Sequence, residues 1–143
     1  MWRVMGEHRK FLEDLFSHYS KGEMDPFFSC FDAHVQWVVH GEHELAGSYK
    51  NVTEAKDAYR RYTAFLRDKP KHRLRHLLVE GDRATALLLD EVVGCDGKNY
   101  AINYAFFFEI SKDGRKILKV DNIVDGLPLA NIVKASTKKR LIA

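Results

Sequence analysis

The sequence has only two cysteines, Cys30 and Cys95, in 143 residues. They make no CxxC pair and share no ligand spacing with histidine. Two free thiols in a reducing compartment are therefore expected, rather than a disulfide framework or a zinc site. Long apolar runs are also missing: no stretch approaches the ~18 uninterrupted residues of a membrane span. The N-terminal MWRVMGEHRKF is broken by Arg3, Glu7 and Arg9, which leaves no apolar signal core. No membrane partner and a cytoplasmic location are the expectations. An excess of one charge is lacking too, with 23 basic against 20 acidic residues and a net charge of +3. Both signs are mixed along the chain, so no stripe tracks phosphates and no nucleic-acid partner is expected. The densest basic run, Lys138, Lys139 and Arg140, follows the last periodic segment and reads as a solvated tail. Repeats, linkers and low-complexity segments are absent. A single domain over residues 1–143 is expected, with a core of about 5–126 and a C-terminal extension at 127–143.

What is present is a helix-first, strand-later pattern. Phe11, Leu12, Leu15, Phe16 and Tyr19 make an apolar stripe that predicts a helix over 5–21, stopped by Gly22. Asp25 before Pro26 reads as the N-cap of a short helix carrying Phe27, Phe28 and Phe31. Residues 34–40 alternate, with Val35, Trp37 and Val39 on one face, so they read as a strand, and 41–48 as turn. Asn51 and Glu54 have the spacing of a capping box. The stripe Ala55, Tyr59, Tyr62 and Leu66 follows, giving a second long helix that ends before Pro70. Strands at 73–80, 84–93, 100–110 and 116–125 are joined by the turns EGDR, GCDGKN and SKDGR, an antiparallel meander. Leu87 to Leu89 and Phe106 to Phe108 are apolar on both faces of their strands. Helices can cover one face; a second copy of the chain would cover the other, so a homodimer through the outer sheet face is expected.

This order of elements, with FDAHVQWVVHGEHELAGSYKN (31–51), FFFEISKDGRKI (106–117) and KVDNIVD (119–125), resembles the SnoaL-like branch of the nuclear transport factor 2-like superfamily. The resemblance implies an α+β fold, a cone-shaped, strongly curved antiparallel sheet with N-terminal helices closing over a pocket. It implies a hydrophobic small-molecule ligand and no metal or organic cofactor.

The chemistries of that superfamily can be tested on these residues. The resemblance places the tyrosine, base and second acid of its ketosteroid isomerases at Leu15, at Trp37 and near Phe106, all apolar here. It places the two aspartates and the arginine of its epoxide hydrolases near Asp90, on Asn122 and near Leu88. An amide at Asn122 cannot exchange a proton at neutral pH, so that set is incomplete. A tight EGDR turn would put Arg73 opposite Asp90 and Arg75 opposite Leu88, either as a partial replacement or as an ordinary rim ion pair. Polyketide cyclases of this type use an acid in the last strands, where Asp121 and Asn122 stand. If Val120, Asn122 and Val124 face inward, Asn122 lines the pocket and Asp121 points out, and a bulge would reverse them.

Histidine supplies acid–base chemistry near neutral pH. His76 shares a strand face with Leu74 and Leu78, as a proton carrier or as a hydrogen-bonded core histidine. His34, His40 and His43 have no fixed ligand geometry, and no metal site is assigned. The resemblance puts Trp37 in the cavity wall, in phase with Val35 and Val39, either stacking on a ligand or packing in the core. Tyr19, Tyr59 and Tyr104 could aim hydroxyls inward, while Tyr59 and Tyr62, at helical spacing, fit the core stripe equally well. The candidate catalytic residues are Asn122, Asp90 and His76; the candidate ligand-binding residues are Trp37, Tyr19, Tyr59 and Tyr104. They predict a cofactor-independent enzyme that cyclises, isomerises or dehydrates a hydrophobic oxygenated small molecule such as a polyketide or terpenoid. The alternatives are a non-catalytic binding or dimerisation module and a nuclear-transport-like partner of other proteins.

Overall fold

The computed structural model describes residues 2–142, and side chains within residues 6–138. Helix α1 (Trp2–Ser20) buries Leu12, Leu15, Phe16 and Tyr19, the stripe expected of it. It ends where Gly22 takes a positive φ of 75°, with Gly22 N–H bonded to Tyr19 O and Glu23 N–H to His18 O. That paired closure needs the left-handed conformation glycine adopts without strain. The chain turns straight into α2 (Met24–Ser29), so Glu23, not Asp25, is the cap residue, and it makes no side-chain cap bond. Asp25 falls in the first turn instead, where its charge suits the helix dipole.

Strand β1 (Phe31–His40) starts earlier than its alternation suggests and buries Val35, Trp37 and Val39. Residues read as turn contain a short strand, β2 (Gly47–Tyr49), paired antiparallel to β1 with Trp37 opposite Tyr49. Helix α3 (Val52–Ala64) is capped by Asn51, whose side chain accepts from Glu54 N–H at 2.9 Å. Glu54 reaches back one residue further than a capping box requires, to Lys50 N–H. Strands β3 (Lys71–Glu80), β4 (Arg83–Val93), β5 (Asn99–Ile110) and β6 (Ile117–Val124) form the expected meander.

The six strands lie in the order β2-β1-β6-β5-β4-β3. β1 runs parallel to β6, so the sheet is mixed rather than wholly antiparallel. Ala84, Ala86, Leu88, Asp90 and Val92 of β4 face the helices, as do Ile102, Tyr104, Phe106 and Phe108 of β5. One irregularity matters for the site. A bulge at Arg75 shifts the β3–β4 register, so that Glu80 pairs with Arg83 but Leu74 pairs with Leu88 and His72 with Asp90.

The extension is not a frayed tail. Gly126–Ile142 form a helix, α4, that buries Leu129, Ile132, Ala135 and Ser136. Those positions recur every three or four residues, enough to hold the helix to the body of the protein. Lys138 is exposed on it, while the side chains of Lys139 and Arg140 lie outside the described residues. Among the described residues, no helix is long and apolar enough to cross a membrane.

Candidate functional site

A cavity of about 100 Å³ lies between the inner sheet face and the helices. Its floor is Trp37 of β1, Tyr104 and Phe106 of β5 and Asn122 of β6; Phe28 of α2 and Tyr59 of α3 close over it. His43 and Leu45 of the β1–β2 loop line it, as does Leu129 of α4. The lining is almost entirely apolar, apart from His43, Asn122 and one cluster of polar groups.

That cluster is built around Asp90, which is 2% exposed. Asp90 Oδ1 accepts from His72 Nδ1 at 2.7 Å and from the Tyr104 hydroxyl at 2.5 Å. Its Oδ2 accepts from the Tyr62 hydroxyl at 2.7 Å. Since Tyr104 spends its proton on Asp90, its oxygen accepts from Tyr19, 2.9 Å away. His72, 4% exposed, lies flat against the Tyr19 ring with centroids 3.8 Å apart and planes 10° from parallel. With His72 Nδ1–H committed to Asp90, Nε2 is left to accept from the Tyr59 hydroxyl at 2.8 Å. A buried carboxylate is tolerable only when paired and hydrogen-bonded, and here three donors meet it.

Electrostatics keeps the four tyrosines as phenols. Burial, followed by the nearby charge of Asp90, raises the pKa of Tyr19, Tyr59 and Tyr62 above the ordinary tyrosine value. Tyr104 is raised by burial, then by Tyr19 and Asp90. All four are hydrogen-bond donors at neutral pH. Tyr19, Tyr59, Tyr62 and Tyr104 line the cavity with Asp90, whereas His72 lies behind them.

The structure brings Asp90, Asn122, Trp37, Tyr19, Tyr59 and Tyr104 to one cavity and leaves His76 out. His76 is exposed, because the bulge at Arg75 turns it and Leu78 to the outer face. The inward histidine is His72. Likewise Arg73 pairs with Leu89 rather than Asp90, and its guanidinium meets Glu91 at 2.9 Å in an exposed ion pair. Arg73→Ala is therefore expected to lower stability by less than about 1 kcal/mol in a urea titration. A loss of several kcal/mol would contradict this placement.

Asn122 faces the cavity, its Nδ2 donating to Ala105 O at 3.0 Å. Asp121 points outward and meets His40 Nε2 at 2.9 Å. His43 holds its loop through backbone bonds, Nε2 to His40 O and Nδ1 from Leu45 N–H, and His34 is exposed. Among the described residues, no three His, Cys, Asp or Glu side chains gather as metal ligands would. The residues that sequence reasoning passed over are His72 and Tyr62. Asp90 is in phase with Leu88 and Val92, which signals its burial, but the bulge that brings His72 opposite it leaves no mark in the sequence.

No protein of curated function matches the chain in sequence. Solved structures share the fold at low identity. Bal32a from a soil-derived mobile gene cassette is 17% identical, with a TM-score of 0.77 over 90% of this chain and 98% of its own. PrhC from Penicillium brasilianum NBRC 6234 is 10% identical, with a TM-score of 0.81 over 96% of this chain and 92% of its own. A putative SnoaL-like polyketide cyclase from Jannaschia sp. CCS1 is 11% identical, with a TM-score of 0.73 over 92% and 94%. The SnoaL-like domain family model matches residues 12–119. With helices first, a mixed six-stranded sheet behind them and that match across most of its length, the chain belongs to the SnoaL-like domain family.

Proposed function

We propose that the protein is a cofactor-independent enzyme that moves a proton on a hydrophobic, oxygenated small molecule, in an isomerisation, dehydration or cyclisation. The observation that carries this reading is the Asp90–His72–Tyr59 chain, which ends at a hydroxyl on an apolar cavity. Tyr59 is its working end. As a substrate proton passes to the Tyr59 oxygen, the phenol's own proton passes to His72 Nε2. The imidazolium that results is stabilised by Asp90, as in other histidine–carboxylate pairs. Reversing the transfer returns a proton to a different substrate atom and restores the site. The Asn122 amide is a further polar contact on the sheet side.

The test is carbon-bound proton exchange. Small ketones and enones are incubated with the protein in deuterium oxide, and loss of the signal next to the carbonyl is followed by NMR. Tyr59→Phe is expected to slow exchange about a hundredfold at saturating ketone. Equal rates in the two proteins would remove Tyr59 from this role. Ligands that bind without exchange anywhere in the screen would favour the second reading, a non-catalytic binding module, which the apolar residues at Leu15, Trp37 and Phe106 also support.

The same reading includes a homodimer. Phe107, Ile123 and Leu78 stand 42%, 50% and 70% exposed on the outer sheet face. Ile123, Ala105 and Leu87 form one row across three strands. Such a patch favours a partner over water. Sedimentation is expected to report a dimer at micromolar concentration, with Phe107→Lys weakening it about 30-fold. A monomeric parent protein would refute it.

A further inference from the structure

We infer that the ligand of this cavity is a neutral molecule of a single six-membered ring with one or two oxygens, and that Phe28 and Trp37 set this size limit. The volume argues for it first. An apolar cavity of roughly 150 Å³ accommodates one benzene, and this one is about 100 Å³. A single ring fills it with slight outward movement of the walls; a fused second ring projects beyond the enclosed volume.

The walls explain the limit. Phe28 lies against Trp37 on one side, at 6.3 Å between centroids, and against Tyr59 on the other, at 6.1 Å. Trp37 in turn meets Phe106 edge-on at 5.7 Å. Phe28 and Trp37 are both buried, so neither swings out into solvent to make room. The ring they enclose lies beside the Tyr59 hydroxyl, which places the ligand's oxygen.

Neutrality follows from the lining. A charged ligand would lose its hydration to apolar walls. An anion would also meet the charge of Asp90, three of whose roughly four acceptor positions are taken by His72, Tyr62 and Tyr104. Tyr59 and Asn122 are the polar groups left to meet it, which limits the ligand to one or two oxygens.

The inference rests on the proposed reading only in placing the substrate in this cavity. Calorimetry reads binding without turnover, so failure of the size limit is distinguishable from failure of the proton-transfer assignment. The probes are phenol, 2-cyclohexen-1-one, benzoate, 2-naphthol and a four-ring steroid ketone, titrated into the full-length protein. Phenol and cyclohexenone are expected to bind, with the other three at least about tenfold weaker. Phe28→Leu, a conservative change, and Phe28→Ala, if it folds, are expected to raise 2-naphthol affinity about tenfold while leaving benzoate weak. Parent protein that binds 2-naphthol, the steroid or benzoate as tightly as phenol would overturn the inference. So would failure of both single-ring probes to bind, or Phe28→Leu leaving the order of affinities unchanged.

Discussion

Replacing Asp90 with alanine is expected to cost about 3–5 kcal/mol of stability and to abolish proton exchange. Three donors converge on this carboxylate: His72 Nδ1–H and the hydroxyls of Tyr104 and Tyr62. Removing it leaves all three without their acceptor in a region from which water is excluded, and each unmet donor adds to the cost. Asp90→Asn separates the two effects. The amide keeps the shape and one acceptor oxygen, so stability falls less. The negative charge that stabilises an imidazolium is gone, so exchange still drops, by about 10²–10⁴-fold. Urea midpoints and the deuterium exchange rates of the two variants check this. An alanine variant as stable as its parent would show that the network around Asp90 does not hold the structure together. An asparagine variant with unchanged exchange would show that its charge takes no part in the chemistry.

The order of helices and strands was legible in the sequence because periodicity is a local property. Leu12, Leu15, Phe16 and Tyr19 repeat as a helix, and Val35, Trp37 and Val39 alternate as a strand. The inward phase of β4, and with it the burial of Asp90, could be read from the same kind of pattern. The partner of Asp90 could not. That depends on register, and a tight turn at Gly81 and Asp82 does place Glu80 opposite Arg83. Five residues before Glu80 the bulge at Arg75 adds one position to β3, and every partner on the far side of it from the turn changes. Arg73 and His76 were chosen by an alternation that holds only up to the bulge; past it, His72 takes the place opposite Asp90. The parallel pairing of β1 with β6 was hidden for a similar reason, since it joins segments far apart in the chain. Helix α4 was obscured because its buried stripe of Leu129, Ile132 and Ala135 is short and lies among exposed and basic residues. Tyr62 was visible as a stripe residue, but its bond to Asp90 required knowing how α3 lies on the sheet.

A cooperative alkaline unfolding is the other large effect expected of this site. In the folded protein Tyr19, Tyr59, Tyr62 and Tyr104 all have raised pKa values, first from burial and with Asp90 adding to each. In the unfolded chain they ionise near the usual value of about 10. Below that pH both states hold their phenolic protons, and the tyrosines leave stability independent of pH. Above it the unfolded chain releases protons that the folded protein retains, so unfolding becomes more favourable as pH rises. Each tyrosine contributes about 1.4 kcal/mol per pH unit, so four together approach about 5.5 kcal/mol per unit. Against a total stability of roughly 5–15 kcal/mol, the protein is expected to unfold between about pH 10 and 13, with the phenolate absorbance of these four tyrosines appearing in the same step as the loss of ellipticity. Tyr104→Phe removes one of the four protons and lowers the slope by about a quarter, whatever its effect on stability at neutral pH. Phenolate absorbance from more than the two tyrosines outside the network, Tyr49 and Tyr100, that rises smoothly near pH 10 while ellipticity is unchanged would mean that these hydroxyls reach solvent. The buried tyrosine network around Asp90 would then be refuted along with the alkaline transition.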